Sequence, residues 1–213
     1  MGLRPWRFML IDNLQWLALI LLLSQFIVIV HSVASNLHLI DGTSIPEVLG
    51  SDVFFEIIDP RELGYTYRLR PAKDFGAPFN DSFQAMGIGL VPVDPPSGCG
   101  WPRNAESVEG NIALVERGEC SFVTKALKME EVGALAVIVA DNDIKGDEHF
   151  IDMVDDNTLR EVHIPAGFLL GRNGHMIRRT LAKLHRKRAV INIPINLTYV
   201  PVVKHKQPPW LGW

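Results

Sequence analysis

The chain has 213 residues, 47% of them hydrophobic, and a formal net charge of −3. Its 21 basic residues against 24 acidic ones exclude the basic excess that is typical of nucleic-acid binding. About 180 residues follow the N-terminal apolar segment, which suits one domain with a sizeable core.

The N-terminal segment has the three parts of a secretory signal. Two arginines precede an apolar run from Trp16 to Val30, and small residues surround Ala34. This predicts a signal peptide over residues 1–34 and a single domain over residues 35–213. An uncleaved signal anchor is the alternative, because the apolar run is long for a signal. Since no second long apolar run follows, we expect a secreted protein that passes through the endoplasmic reticulum and keeps no stable membrane insertion.

The N-terminal half of the domain reads as strands and loops. Strands are predicted over Asp52–Ile58, Tyr65–Leu69 and Gly87–Val93. Proline, glycine, asparagine and aspartate are concentrated in residues 71–82, which predicts a loop, and again in the turn cluster of residues 94–102.

A strand–helix–strand unit follows. Ile112–Val115 and Ala134–Ala140 are short apolar runs, the pattern of strands buried on both faces. Between them, Ser121 is predicted to cap a helix that ends at Gly133. Phe122, Ala126 and Met129 form the apolar stripe of this helix, and Lys125 is assigned with the other charged residues away from it.

A second unit has the same pattern. His163–Leu170 is predicted as a strand, Asn173 as the cap of a helix that runs to about Leu184, and Ala189–Ile195 as a further strand. The two units, each a right-handed crossover, predict a mixed α/β domain with helices packed on a sheet.

Two cysteines and two acceptor sequences fit the predicted compartment. Cys99 and Cys120 form an even pair, which predicts one disulfide in an oxidising lumen; two buried free thiols are the alternative. Asn196-Leu197-Thr198 and Asn80-Asp81-Ser82 are N-glycosylation sequences. Asn196 is the better candidate, because threonine favours glycosylation and the acidic Asp81 does not.

The segment from Ile112 to Asp141 resembles the protease-associated domain family. The resemblance lies in the apolar strand, Arg117-Gly118, Cys120-Ser121-Phe122, a lysine inside the helix, and the run Gly133–Ile138. It implies a mixed α/β fold, an open barrel-like sandwich with two crossover helices. It also implies a non-catalytic interaction module for a protein or peptide partner, without a cofactor.

The sequence offers no strong catalytic signature. Neither Gly-x-Ser-x-Gly nor His-Glu-x-x-His occurs in the chain, and lone histidines such as His163 and His175 are more often surface or core residues than ligands. We therefore expect a protein that is not an enzyme and has no metal centre.

One group of polar residues is predicted to bind the partner. If the strands at Ile112, Ala134 and Ala166 run parallel, their carboxyl ends share one edge, where open α/β sheets tend to place ligands. Four polar residues would then meet at that edge and form the candidate site: Arg117, Asp141, Asn142 and Arg172.

Two other patterns leave alternatives open. The spacing of acids from Asp141 to Asp152 is similar to that of a calcium loop, but Lys145 stands where a ligand should be, so a solvated acidic loop is the favoured interpretation. Arg186-Lys187-Arg188, with further cations on the second helix, could contact a glycosaminoglycan or another polyanion. Favourable cation placement at a helix C-terminus is the simpler explanation.

Overall fold

The computed structural model describes residues 52–80, 83–197 and 206–211. The predicted signal peptide lies outside these residues, and so do Asp81, Ser82 and Thr198 of the two acceptor sequences. Among the helices in the described ranges, none has the length and apolar character needed to cross a membrane.

Seven strands form a closed barrel. Their bounds are Val53–Asp59 (β1), Thr66–Pro71 (β2), Ala85–Pro92 (β3), Ile112–Glu116 (β4), Ala136–Ala140 (β5), Ala166–Leu169 (β6) and Ala189–Ile193 (β7). The order around the barrel is β1-β2-β6-β5-β4-β3-β7. The expected open barrel-like sandwich is thus corrected to a closed barrel, because β7 pairs antiparallel with both β1 and β3 and leaves no edge between them.

The helices in the part of the chain that the structure describes are few, and they connect the strands differently from the prediction. They are Ala105–Val108 (α1), Phe122–Glu131 (α2) and Gly171–Lys183 (α3), with a 3-10 turn at Arg61–Leu63. Of these, α1 lies between the neighbouring parallel strands β3 and β4, and α2 lies between the neighbouring parallel strands β4 and β5. The second crossover is not confirmed: α3 leads from β6 to β7, which are not neighbours and run antiparallel. A long loop, residues 141–165, joins the parallel strands β5 and β6 without a helix.

The parallel strands β4, β5 and β6 are buried on both faces, as continuous apolar runs require. Alternate residues such as Leu114 and Ile138 point into the barrel, where Ile177 and Leu181 of α3 join them and cover one end. The intervening residues, such as Val115, face outward and pack against α2. The core therefore has two layers, and α3 lies over the barrel end at which the parallel strands finish.

Both predicted boundaries of α2 are confirmed. The Ser121 hydroxyl accepts a hydrogen bond from the Thr124 amide at 3.1 Å, which satisfies one donor of the first turn. Gly133 follows the last turn with φ +87°, a backbone conformation that favours glycine.

Candidate binding site at the barrel rim

The backbone holds three loops together at the carboxyl ends of β4, β5 and β6. The hydrogen-bond ladder continues one residue past the strands: the Arg117 amide donates to the Ala140 carbonyl at 2.8 Å, and the Asp141 amide donates to the Leu169 carbonyl at 2.9 Å. The predicted parallel arrangement is confirmed. Residues just beyond each strand therefore lie side by side, and we call this surface the rim.

Arg117, Asp141 and Asn142 meet at the rim. The Arg117 guanidinium lies 3.1 Å from the Asp141 carboxylate; the Arg117 side chain is 41% exposed and that of Asp141 only 11%. The exposed Asn142 lies beside Gly118: its side-chain amide nitrogen is 3.7 Å from the position that a Cβ on this glycine would occupy. The arginine thus offsets the charge of a largely buried carboxylate and still presents donors to solvent.

Arg172 joins the same surface through the acidic loop. Its side chain lies 2.6 Å from the Asp147 carboxylate, and its amide donates to the Gly146 carbonyl at 3.0 Å. Gly171 permits this packing, since a Cβ there would lie 2.0 Å from the Asp143 carbonyl oxygen. Asp147 was not predicted as the partner of Arg172, although the acidic loop that contains Asp147 is visible in the sequence.

Asn173 does not cap α3 as the sequence suggests. The helix begins two residues earlier, at Gly171, so Asn173 lies in the first turn and is buried at 1% exposure. Its side-chain oxygen accepts a hydrogen bond at 2.9 Å from the indole nitrogen of Trp210, which also packs edge-on against Tyr65. Residues 206–211 therefore pack back onto the barrel, and the polar atom of Asn173 is satisfied by the C-terminal segment.

The Cys99–Cys120 disulfide is confirmed, with a Cα–Cα distance of 5.9 Å. It ties the loop that follows β4 to the turn that follows β3. The groove at this point has a volume of about 440 Å³ and is lined by residues 117–122. The loop that carries Arg117 is therefore fixed covalently as well as by the backbone ladder.

Lys125 reinforces this connection from inside the protein, contrary to its assignment to the charged face of α2. It is fully buried, and its ammonium group donates to the Ser97 and Gly118 carbonyls at 2.6 Å each. Burial lowers the pKa of Lys125, against the opposing effect of Glu119 and Glu116. Its spacing was the missed signal: Lys125 lies four residues before the buried Met129, on the same helix face.

The acids of the possible calcium loop are engaged separately. Asp141 and Asp147 pair with arginines, and Asp152 lies 3.5 Å from Arg70. Asp143 accepts a hydrogen bond from the Lys145 amide at 3.0 Å. Within residues 52–80, 83–197 and 206–211, no three or more His, Cys, Asp or Glu side chains are grouped so that they could hold a metal ion.

The basic run lies after α3, in the turn to β7. Arg186, Lys187 and Arg188 are all exposed, and Arg186 pairs with Asp59 at 3.1 Å. Upstream, Arg178 points inward and donates to the Leu114 carbonyl at 2.6 Å. The cationic surface available to a polyanion is therefore smaller than the sequence suggests.

The two asparagines predicted to carry glycans, Asn80 and Asn196, are both exposed. Neither lies on the rim, since Asn80 is in the loop before β3 and Asn196 follows β7.

Comparison with known proteins assigns the family. The PA domain signature matches residues 88–177. The PRADC1-like protein of Drosophila melanogaster is 47% identical over 198 residues, which cover 90% of this chain and 100% of that protein. The ER degradation-enhancing alpha-mannosidase-like protein 3 of Xenopus laevis is 33% identical, over 42% of this chain and 10% of its own length. The zinc aminopeptidase BSAP from Bacillus subtilis superposes with a TM-score of 0.45 at 19% identity, covering 66% of this chain and 29% of its own. The chain belongs to the PA domain family and is related to the PRADC1-like protein over nearly its whole length.

Proposed function

We propose that the protein is a secreted, glycosylated, non-catalytic module that binds a protein or peptide partner at the rim. PA domains mediate protein interactions, the PA signature matches residues 88–177, and this chain aligns with the whole length of its Drosophila relative. One observation supports the rim in particular. Two partly exposed arginines, Arg117 and Arg172, are held in place by carboxylates at 3.1 Å and 2.6 Å.

The chemistry of the rim suits a polypeptide. Arginine presents several donors in a fixed planar group that can pair with carboxylates or backbone carbonyls. Arg117 and Arg172 are each 41% exposed, and the exposed amide of Asn142 can both donate and accept. Because the disulfide, Lys125 and the backbone ladder already fix these loops, little conformational entropy is lost when a partner binds.

The test compares two arginine substitutions with a matched control. The variant Arg117→Ala/Arg172→Ala should lose most of the partner that wild type captures by crosslinking in conditioned medium, quantified by mass spectrometry. Arg103→Ala is the control, because Arg103 also pairs with an aspartate at 3.0 Å but is 75% exposed on another surface. All variants must keep the far-UV circular dichroism of wild type. Equal capture by wild type and the double variant would refute the rim as the binding site.

Secretion and glycosylation are tested on the same material. The protein in the medium should begin near Ser35, and a glycosidase should remove mass that Asn196→Gln lacks from the start. An intact N-terminus on membrane-bound protein would contradict cleavage of the signal.

A second candidate function is binding to a glycosaminoglycan through the cations after α3. The exposed Lys187 and Arg188 favour it. Heparin chromatography of wild type and of a variant with neutral residues at Arg186, Lys187 and Arg188 distinguishes the two functions. If wild type elutes early and the variant elutes at the same salt concentration, heparin binding is refuted and the rim remains the supported site.

A further inference from the structure

The long loop between β5 and β6 carries an apolar residue in an unusual setting. Leu159 is 98% exposed, and its backbone has φ +56°, in the left-handed region that leucine rarely adopts. Asn157, two residues earlier, has φ +57°. A leucine here gains nothing from burial within the chain, and asparagine or glycine would fit the backbone better.

A polar network holds this part of the loop against the start of α2. The Asp156 carboxylate accepts hydrogen bonds from Ser121 at 2.5 Å, from Thr158 at 2.5 Å and from Arg160 at 2.6 Å. Arg160 also donates to the Thr124 hydroxyl at 2.9 Å. The network therefore fixes the residues on both sides of Leu159, so the backbone that carries the exposed side chain is held in position.

The depression beside Leu159 is acidic. Asp74, Asp155 and Glu161 line it, and its volume is about 630 Å³. Within the described ranges, Asp74 forms no ion pair, and the Glu161 side chain is 87% exposed, with only the His163 ring near it at 3.8 Å. Arg160 also lines the depression, but its charge is offset by Asp156. The surface around the leucine is thus left with uncompensated negative charge.

We propose that Leu159 and this depression form a docking surface for a protein segment in which an apolar residue lies next to lysines or arginines. Leu159 packs against the apolar residue of the partner, and the three carboxylates pair with its cations. Charge complementarity selects a basic partner, and the fixed loop lowers the entropic cost of presenting the leucine. This surface shares no residue with the rim, so each can be tested without the other.

The experiment selects peptides and then asks which residues they need. A phage-displayed library of random dodecapeptides is selected on the purified full chain, and the enriched peptides are synthesised and titrated. We expect enrichment of peptides that combine apolar residues with Lys or Arg. Leu159→Asn should weaken their binding at least tenfold and leave the unfolding temperature unchanged or higher, since asparagine tolerates the left-handed backbone. Because that variant keeps the fold, a loss of binding cannot be attributed to unfolding.

Matched variants separate the contributions. Val154→Asn, at an exposed apolar residue of the same loop that does not line the depression, should bind like wild type. Asp74→Asn/Glu161→Gln should weaken binding and reduce its dependence on salt, whereas Arg117→Ala/Arg172→Ala should have no effect.

Four outcomes would overturn the proposal. They are the enrichment of no peptide, peptides without an excess of basic residues, binding to Leu159→Asn within twofold of wild type, and a wild-type dimer that Leu159→Asn abolishes. The last would identify a second copy of the chain as the occupant.

Discussion

Replacing Lys125 with methionine should destabilise the protein by removing the ammonium group that joins the two disulfide-linked segments. The variant keeps most of the buried stem but loses two charge-assisted hydrogen bonds, to the Ser97 and Gly118 carbonyls. In the described ranges, the Gly118 carbonyl still accepts a hydrogen bond from the Cys120 amide, whereas the Ser97 carbonyl is left without a donor. A hydrogen bond to a charged group contributes about 1.5–3 kcal/mol.

The net effect is smaller than the sum of the two bonds, because methionine also removes the cost of burying a charge. We expect a loss of about 2–4 kcal/mol in the free energy of unfolding. For a domain of this size that corresponds to a fall of roughly 4–16 °C in the unfolding temperature.

Calorimetry with the disulfide intact measures this change, and Lys128→Met is the matched control. Lys128 lies in the same helix, is 37% exposed and, among the described residues, pairs only with Glu131, three residues away. A surface pair of this kind contributes about 0.5 kcal/mol or less. If Lys125→Met unfolds within 2 °C of Lys128→Met (a threshold of about 1 kcal/mol), the buried ammonium does not hold these loops together.

Three further changes test other parts of the structure. Gly171→Ala should destabilise by about 1–3 kcal/mol or more in chemical denaturation, because the added Cβ meets a backbone oxygen at 2.0 Å, whereas Gly100→Ala, with nothing within 4 Å, should not. The pKa of Asp156 is lowered to about 2, chiefly by the Ser121 and Thr158 hydroxyls, from an unfolded value of 3.8. The stabilisation from this carboxylate is therefore present above pH 3.8 and lost as the pH falls towards 2. Hydrogen exchange should report that the loop opens in this pH range. A loop that stays closed there would contradict the network. Substituting Cys99 and Cys120 together by serine should cost about 3 kcal/mol, since their separation of 21 residues sets the loop entropy, and an unchanged denaturation midpoint would refute this.

The strand–helix–strand unit from Ile112 to Ala140 was predictable from sequence, because its determinants are local. Two apolar runs, a serine cap and a terminal glycine fix the elements within two residues of their observed bounds. Parallel strands then imply that Arg117 and Asp141 share an edge, and the structure places their side chains in contact.

Barrel closure was not predictable in the same way. The last strand, β7, pairs with both β1 and β3, which lie more than 90 residues earlier in the chain. An apolar strand has the same residue pattern in an open sheet and in a closed one. The pairing therefore depends on long-range contacts that hydrophobic periodicity does not record.

Two individual errors have the same physical origin. Lys125 was assigned to solvent from its residue type, and Asn173 was assigned to a cap from its preference for that position. In both cases a tertiary partner decides the outcome: backbone carbonyls accept from Lys125, and Trp210 donates to Asn173. Position on a helix face carried more information here than residue type did.

Site-specific photocrosslinking tests the central claim, binding of a protein partner at the rim, most directly. A benzoylphenylalanine at Asn142, which is exposed on the rim, should give a defined adduct with a protein in conditioned medium. The same group at Glu106, exposed on α1 away from the rim, should give none. No adduct at Asn142, or equal adducts at both positions, would contradict the assignment of the rim as the binding surface.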